Sequence, residues 1–325
     1  MKTPSFWNEK NLLSTLLLPL ASLYDTASLL SRAARRPVTL AVPVICIGNL
    51  TMGGSGKTPV ALHVGRMLKD KKIAAFYVSR GYGGRLKGPV RVNAQKHSAE
   101  EVGDEPLLLA GVLPTVVAKD RLQGALYAMQ KGAKVIVMDD GFQNNAIAKS
   151  LSLLVVDGSV GFGNGRIFPA GPLREDPALG LARAHAVVVI NRTTRVPAFP
   201  AEKPVLLART QPKDDTLALK GKKLAAFCGL AYPHKFFDML SSLGALVVEK
   251  TAFADHHPYT ASDMRKLMAR ANPKQAALIT TAKDFVRIPQ EYRECVAVLD
   301  MELAFDNEPL LAGILDYILT PHENA

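Results

Sequence analysis

Short apolar, β-branched runs, each closed by glycine, serine or an acid, recur along this chain and alternate with stripes at helical spacing. Residues 42–47 form such a run, and Val60, Val64, Met67 and Leu68 follow as one apolar helix face. Runs at 74–78, 114–118, 135–140, 151–156 and 186–190 predict further strands, with a helix over 123–131. Uninterrupted apolar strands joined by helices predict a mostly parallel sheet with helices on both faces. A Pro-rich stretch at 191–204 reads as a boundary. The alternation then resumes, with strands at 224–228, 245–248, 276–280 and finally 296–299, and helices over 233–243 and 310–319. The pattern predicts an α/β protein divided into an N-terminal segment at 1–37, a larger domain at 38–200 and a smaller C-terminal α/β domain at 201–325 closing over the site.

Residues 12–30 fall outside this rhythm. The stretch is leucine-rich and precedes Arg32, Arg35 and Arg36, but Ser14, Thr15, Pro19, Ser22, Asp25, Thr26 and Ser28 interrupt it. A spanning helix needs about 20 nearly uncharged apolar residues, and a secretory leader needs an early basic region and a cleavage site. An amphipathic helix lying in the membrane interface, arginines toward anionic headgroups, fits better; packing on the protein's own core is the competing reading.

Composition adds limits. At 48% hydrophobic and 21% charged, the chain is too apolar for intrinsic disorder. The three cysteines, Cys46, Cys228 and Cys295, lack metal-ligand spacing and read as buried thiols of a reducing compartment. The net charge of +11 is unevenly spread, because residues 284–325 set nine acids against Arg287 and Arg293. A basic body suits anionic partners such as nucleotide, phospholipid or phosphorylated substrate. Interleaved basic and aromatic residues or a reading helix are missing, so nucleic acid is not expected.

The chemistry begins at Gly48-Asn49-Leu50-Thr51-Met52-Gly53-Gly54-Ser55-Gly56-Lys57-Thr58, a Gly-rich turn between strand and helix. Backbone N–H groups and the helix N-terminus cradle phosphate there, Lys57 reaches the outer phosphates, and Thr58 offers a hydroxyl to Mg²⁺. Residues 51–58 are therefore the expected phosphate site and the fold is P-loop NTPase-like, although the strict pattern wants glycine at Thr51. His63, in the following helix, reads as structural. Downstream, Asp139 and Asp140 end an apolar strand like a Walker B element, and either could face the metal. Asp104, in Gly103-Asp104-Glu105-Pro106, and His256, in Asp255-His256-His257, are the two candidates for the base that a hydroxyl nucleophile needs, and a carboxylate can orient an imidazole in such a pair; His257 is an alternative to His256. The 161–175 loop is too long for a plain connector and carries Asn164, Arg166 and Arg174 as donors.

Taken together, these motifs resemble the tetraacyldisaccharide 4'-kinase family, the lipid A 4'-kinases of Gram-negative bacteria. The matching stretches include the 48–59 turn, Ser79-Arg80-Gly81-Tyr82-Gly83, Gly103 to Pro106 and Asp139-Asp140-Gly141-Phe142-Gln143. They continue with Gly163-Asn164-Gly165-Arg166, Pro169-Ala170-Gly171-Pro172-Leu173-Arg174-Glu175, Ala254 to His257 and Thr280-Thr281-Ala282-Lys283-Asp284. Thr51 belongs to the family's own form of the turn, whereas Ala282 departs from its usual glutamate. The resemblance implies ATP-dependent phosphorylation, with Mg²⁺, of the 4'-hydroxyl of a lipid A disaccharide 1-phosphate at the cytoplasmic face of the inner membrane. It casts Asp104 as base with His256, Asp139 and Asp140 as metal-facing acids, and Arg80, Tyr82, Arg121, Gln143, Asn164 and Arg174 as phosphate or glucosamine contacts. A lipid acceptor that stays in the bilayer also favours the interfacial reading of 12–30. The residues themselves also admit a soluble P-loop kinase or GTPase acting on a small metabolite, or a membrane-bound nucleotide sensor.

Overall fold

A computed structural model describes residues 4–34, 36–213, 219–230 and 232–320; Arg35 lies outside them. Its first strands are β1 (Val44–Gly48), β2 (Ala75–Ser79), β3 (Val90–Arg91), β4 (Thr115–Val117), β5 (Val135–Asp139), β6 (Leu151–Asp157) and β7 (Ala186–Ile190). β8 (Val205–Pro212), β9 (Lys223–Cys228), β10 (Leu246–Ala252), β11 (Ala277–Thr281), β12 (Val296–Leu299) and β13 (Met301–Phe305) follow. The helices are α1 (Leu12–Leu16), α2 (Leu18–Ala33), α3 (Lys57–Asp70), α4 (Ala99–Val102), α5 (Asp104–Ala110) and α6 (Arg121–Gln130). After them come α7 (Pro177–Arg183), α8 (Pro233–Ser242), α9 (Ala261–Ala271), α10 (Ala282–Phe285) and α11 (Glu308–Leu319).

A nine-stranded sheet runs β13-β8-β7-β6-β1-β5-β2-β4-β3, and a four-stranded sheet runs β10-β9-β11-β12. β1, β2, β5 and β7 are buried at every position, as apolar runs covered on both faces must be. On one face Val60, Val64 and Leu68 of α3, Leu109 of α5, and Leu311 and Leu315 of α11 pack on Ile45, Ile47 and Val137. On the other, Ala125 and Ala128 of α6 meet Phe76, Val78 and Ile136, and Leu181 of α7 meets Leu154 and Val187.

Register then positions the site. β1 lies between β5 and β6, the point at which the strand order switches direction. Ile47 aligns with Asp139, and Val78 with Met138, all in parallel pairs. The loops after β1, β5 and β2 therefore leave the same sheet edge side by side, where open α/β sheets bind ligands. In the small sheet, parallel strands β9, β10 and β11 likewise send Gly229, Phe253 to His257 and Thr281 out of one edge.

The change of sheet does not fall at residue 200. β8 and β13 pair antiparallel on the large sheet and α11 packs against it, so the chain leaves after Pro212 and returns at Met301. Both strands escaped the sequence pattern. β8 turns polar at Arg209-Thr210-Gln211, and β13 follows β12 with only Asp300 between them.

The N-terminal helices do not sink into the core. Among their residues only Ser14 and Ala21 are buried, while Leu12, Leu16, Leu20, Leu23 and Leu30 are more than half exposed. The segment is pinned to the 161–175 loop: Trp7 Nε1 donates to Pro169 O (3.1 Å), and Arg166 Nη1 to Ser14 Oγ (2.8 Å) and Thr15 Oγ1 (2.9 Å). Arg32 reaches the fully buried Glu175, which also takes Arg183 Nη2 at 2.6 Å. Among the described residues, no helix is long and apolar enough to cross a membrane. Cys46 and Cys228 are buried as expected, but Cys295 is exposed, because it ends a 3-10 turn on the surface rather than joining β12.

Candidate active site

The phosphate loop is held open by its own backbone. Gly56 precedes α3 at φ 79° and Gly53 sits at φ 105°, conformations that favour glycine. No side chain caps α3, so its first N–H groups face an outside acceptor. Gly48 permits the close approach of the next loop, since a Cβ there would lie 2.4 Å from Phe142 Cβ. Within the expected 51–58 turn, Met52 N donates to Pro172 O at 2.7 Å and Thr51 bridges to Leu173, so these two residues fasten the turn to the 161–175 loop.

The acids after β5 differ in surroundings. Thr58 Oγ1 donates to Asp139 Oδ2 at 3.2 Å, while Asp139 Oδ1 is buried without a partner, as is Ser55 Oγ. Burial, with the nearby charges of Glu105 and Asp140, raises the Asp139 carboxyl to about 7 against the opposing pull of Lys57 and Thr58. A hydroxyl and an orphaned carboxylate oxygen are the hard donors that Mg²⁺ takes when phosphates complete its shell, so Thr58 and Asp139 fit the ion. Asp140 instead meets Lys57 Nζ at 3.6 Å and Arg174 Nη1 at 3.1 Å. Burial pushes its carboxyl up, but Lys57 and Arg174 outweigh it and hold the group below its ordinary value. Asp140 adopts φ 52°, a strained conformation for a non-glycine residue.

Two expected substrate contacts are engaged within the fold. Asn164 is buried, with Nδ2 donating to Phe6 O (3.0 Å) and Ala170 O (2.9 Å) and Oδ1 accepting from Arg166 N (3.0 Å). With its amide spent inside the loop, it is not placed to touch a ligand. Gln143 donates to Asn49 O (2.8 Å) and Glu175 Oε1 (3.1 Å) and accepts from Arg174 (3.2 Å), so it orients Arg174.

Arg80 and Arg121 stand together at the same edge. Arg121 is buried and its Nε has no partner. Burial and the charge of Arg80 push its guanidinium down, with Asp140 and Asp139 opposing. Paired cations with a free buried N–H suit an anion. Tyr82, on the same loop, is exposed, and the loop packs tightly on the turn before α5, where a Cβ on Gly103 would lie 2.6 Å from Tyr82 O.

That turn delivers Asp104 to the start of α5, and the small sheet answers it. Asp104 Oδ2 lies 3.1 Å from His256 Nδ1, 2.6 Å from Arg287 Nη2 and 3.8 Å from Lys283 Nζ; Oδ1 accepts from Glu105 N at 3.1 Å. Burial alone would raise this carboxyl, but His256, Lys283 and Arg287 hold it well below the usual carboxylate range. The choice between histidines is settled by packing. His257 stacks on Phe253 (4.5 Å) and bonds Asp263 (3.2 Å), whereas His256, at φ 60°, faces Asp104. Sequence reading counted Arg287 only as a charge of the C-terminal tail and quoted Lys283 and Glu175 only as motif members; nothing in their spacing indicates that they meet partners so distant in the chain. His63 faces Glu308 at 3.2 Å and packs by Phe305, away from this edge.

Known proteins resemble this chain along nearly its whole length. The profile of the tetraacyldisaccharide-1-P 4'-kinase family (LpxK) matches residues 13–319. The chain is 47% identical to a tetraacyldisaccharide 4'-kinase of Paramagnetospirillum magneticum, covering 98% of this chain and 99% of that one. It is 48% identical to one of Rhodospirillum centenum, over 99% and 96%. Its fold matches the crystal structure of LpxK from Aquifex aeolicus in complex with ATP at a TM-score of 0.79 and 30% identity, covering 95% and 100% of the two chains. The chain belongs to the tetraacyldisaccharide-1-P 4'-kinase family.

Proposed function

We propose that the chain transfers the γ-phosphate of ATP to the 4'-hydroxyl of a tetraacyldisaccharide 1-phosphate, with Asp104 and His256 taking the hydroxyl proton. Family membership supports the kinase activity. The observation that carries the site assignment is the Asp104–His256 contact at 3.1 Å, made between elements of the two sheets. In this reading Gly53 to Lys57 hold the ATP phosphates, and Thr58 and Asp139 hold Mg²⁺. When bound, that ion neutralises charge on the phosphates. The acceptor oxygen bonds to the γ-phosphorus as the bond to the ADP oxygen breaks, and the proton passes to the Asp104–His256 pair. Arg80, Arg121 and Arg174 stabilise phosphoryl charge, and Tyr82 offers an aromatic face to the sugar. The direct test is transfer of label from [γ-³²P]ATP to a tetraacyldisaccharide 1-phosphate in detergent micelles. ATP consumption without labelled lipid would overturn the assignment.

The exposed leucines of α1 and α2 support a seat on the membrane, at its cytoplasmic face, where a lipid acceptor and ATP meet. A soluble enzyme acting on a small metabolite has no use for such a row, because contiguous exposed apolar patches mark interaction sites. Changing Leu16, Leu20 and Leu23 together to glutamate is expected to abolish flotation with anionic vesicles. It should lower turnover on vesicle-borne acceptor at least tenfold, each buried leucine contributing about 1.5–3 kcal/mol to such partitioning. Unchanged flotation would show that the helices do not enter the interface.

A further inference from the structure

We propose that Arg287 is a positioning residue that completes the Asp104–His256 pair, its guanidinium seated on Asp284 and turning Asp104 toward the imidazole. The inference rests on the reading of that pair as proton acceptor. Arg287 Nη1 donates to Asp284 Oδ1 at 3.2 Å and Nη2 to Asp104 Oδ2 at 2.6 Å, and the side chain is 3% exposed. Asp284 is fully buried and cannot swing. Gly229 N (2.9 Å) and Tyr259 OH (3.0 Å) donate to its Oδ1, and Thr281 Oγ1 (2.7 Å) to its Oδ2. Thr281 and Asp284 belong to the 280–284 motif, which has no part in the phosphate or metal site. Its place in the fold is a platform, built from the ends of β9 and β11 and the turn before α9, that aims one arginine at the other sheet.

The charges facing Asp104 show why this arginine matters more than its neighbours. His256, Lys283 and Arg287 approach from the small-sheet side, Glu105 follows in the chain, and Asp255 lies 3.9 Å from His256 Nε2. Lys283 is 3.8 Å away and 30% exposed, so water screens it. Arg287 is desolvated and hydrogen-bonded, and charge-assisted contacts of that kind are the strong ones. Without it the buried carboxylate keeps one close side-chain donor, His256, beside the Glu105 N–H, and desolvation favours its protonation.

The test compares Arg287→Gly, Arg287→Lys and Asp104→Asn in the full chain, by kcat, KM for ATP, pH profile and thermal melting. Arg287→Gly is expected to lower kcat about 100-fold with KM for ATP within about twofold. The acid limb of kcat should move to higher pH, because losing a cation raises the pKa of the pair. Added methylguanidinium should restore rate and return the limb, and Arg287→Lys should shift it less. An unmoved limb in both variants, with rate falling only as the folded fraction falls, would reduce Arg287 to a structural role and overturn the inference. If Asp104→Asn is inactive while the arginine variants keep the wild-type limb, the inference fails alone. If Asp104→Asn keeps full kcat, the base reading fails and this one with it.

Discussion

Lys57→Ala is expected to lower kcat/KM for ATP by about 10³-fold or more, near 4 kcal/mol of transition-state stabilisation, in a chain that still melts cooperatively. Lys57 is the first residue of α3 and its Nζ lies 3.6 Å from Asp140. No other ammonium is placed on the phosphate loop among the described residues, so its loss leaves the outer phosphates with backbone donors and the more distant arginines. The variant also weakens the neighbouring acid. Lys57 opposes the rise of Asp139, and without it burial and the charges of Glu105 and Asp140 act with less restraint on the carboxyl beside Thr58. Steady-state rates with labelled ATP and a lipid acceptor check the prediction; near wild-type turnover would remove the phosphate-loop assignment. Lys57→Arg is expected to rescue little, since a planar fork cannot replace a compact ammonium in this turn.

How much of this was legible beforehand depends on how local the physics is. The phosphate turn, the strand before it and the helix after it are consecutive, and their signals are local: β-branched residues, glycines at positive φ, an uncapped helix start. Asp139 was legible because it ends an apolar strand, and register with β1 then brings it to Thr58. β13 was not, since its pairing with β8 is fixed by contacts some 90 residues away, as in Glu302 against Gln211. The same holds for Arg287 and Glu175, whose partners Asp104 and Arg32 are 183 and 143 residues distant. Asn164 misled for a different reason. An amide in a Gly-rich loop looks free for a ligand, but a Cβ on Gly171 would lie 2.1 Å from Asn164 Oδ1, and that close approach is what the amide serves. His256 and His257 are adjacent, and only packing distinguishes a stacked ring from one turned to Asp104.

Asp104→Asn is expected to lower kcat by about 10²–10⁴-fold with KM for ATP nearly unchanged, the pattern of a group used in the chemical step alone. The amide is a better first variant than alanine for a physical reason. Asp104 is the acceptor for His256 and Arg287, and the Arg287 side chain is 3% exposed. Removing the acceptor leaves a buried guanidinium half-paired, a loss of about 3–5 kcal/mol in comparable buried pairs, so Asp104→Ala confounds rate with unfolding. Asparagine keeps the shape and one acceptor oxygen but cannot hold a charge. His256→Ala should cost less, because its ring is more exposed and leaves no buried charge behind. If the two residues work as one acceptor, their losses do not add: the double variant should be no slower than Asp104→Asn alone, a coupling that a double-mutant cycle reads directly. Additive losses would mean that Asp104 and His256 act on different groups, and a KM for ATP that rises as kcat falls would place Asp104 on the nucleotide instead of the acceptor. The geometry argues against both, because every contact of Asp104 with a side chain reaches into the small sheet and none into the phosphate loop.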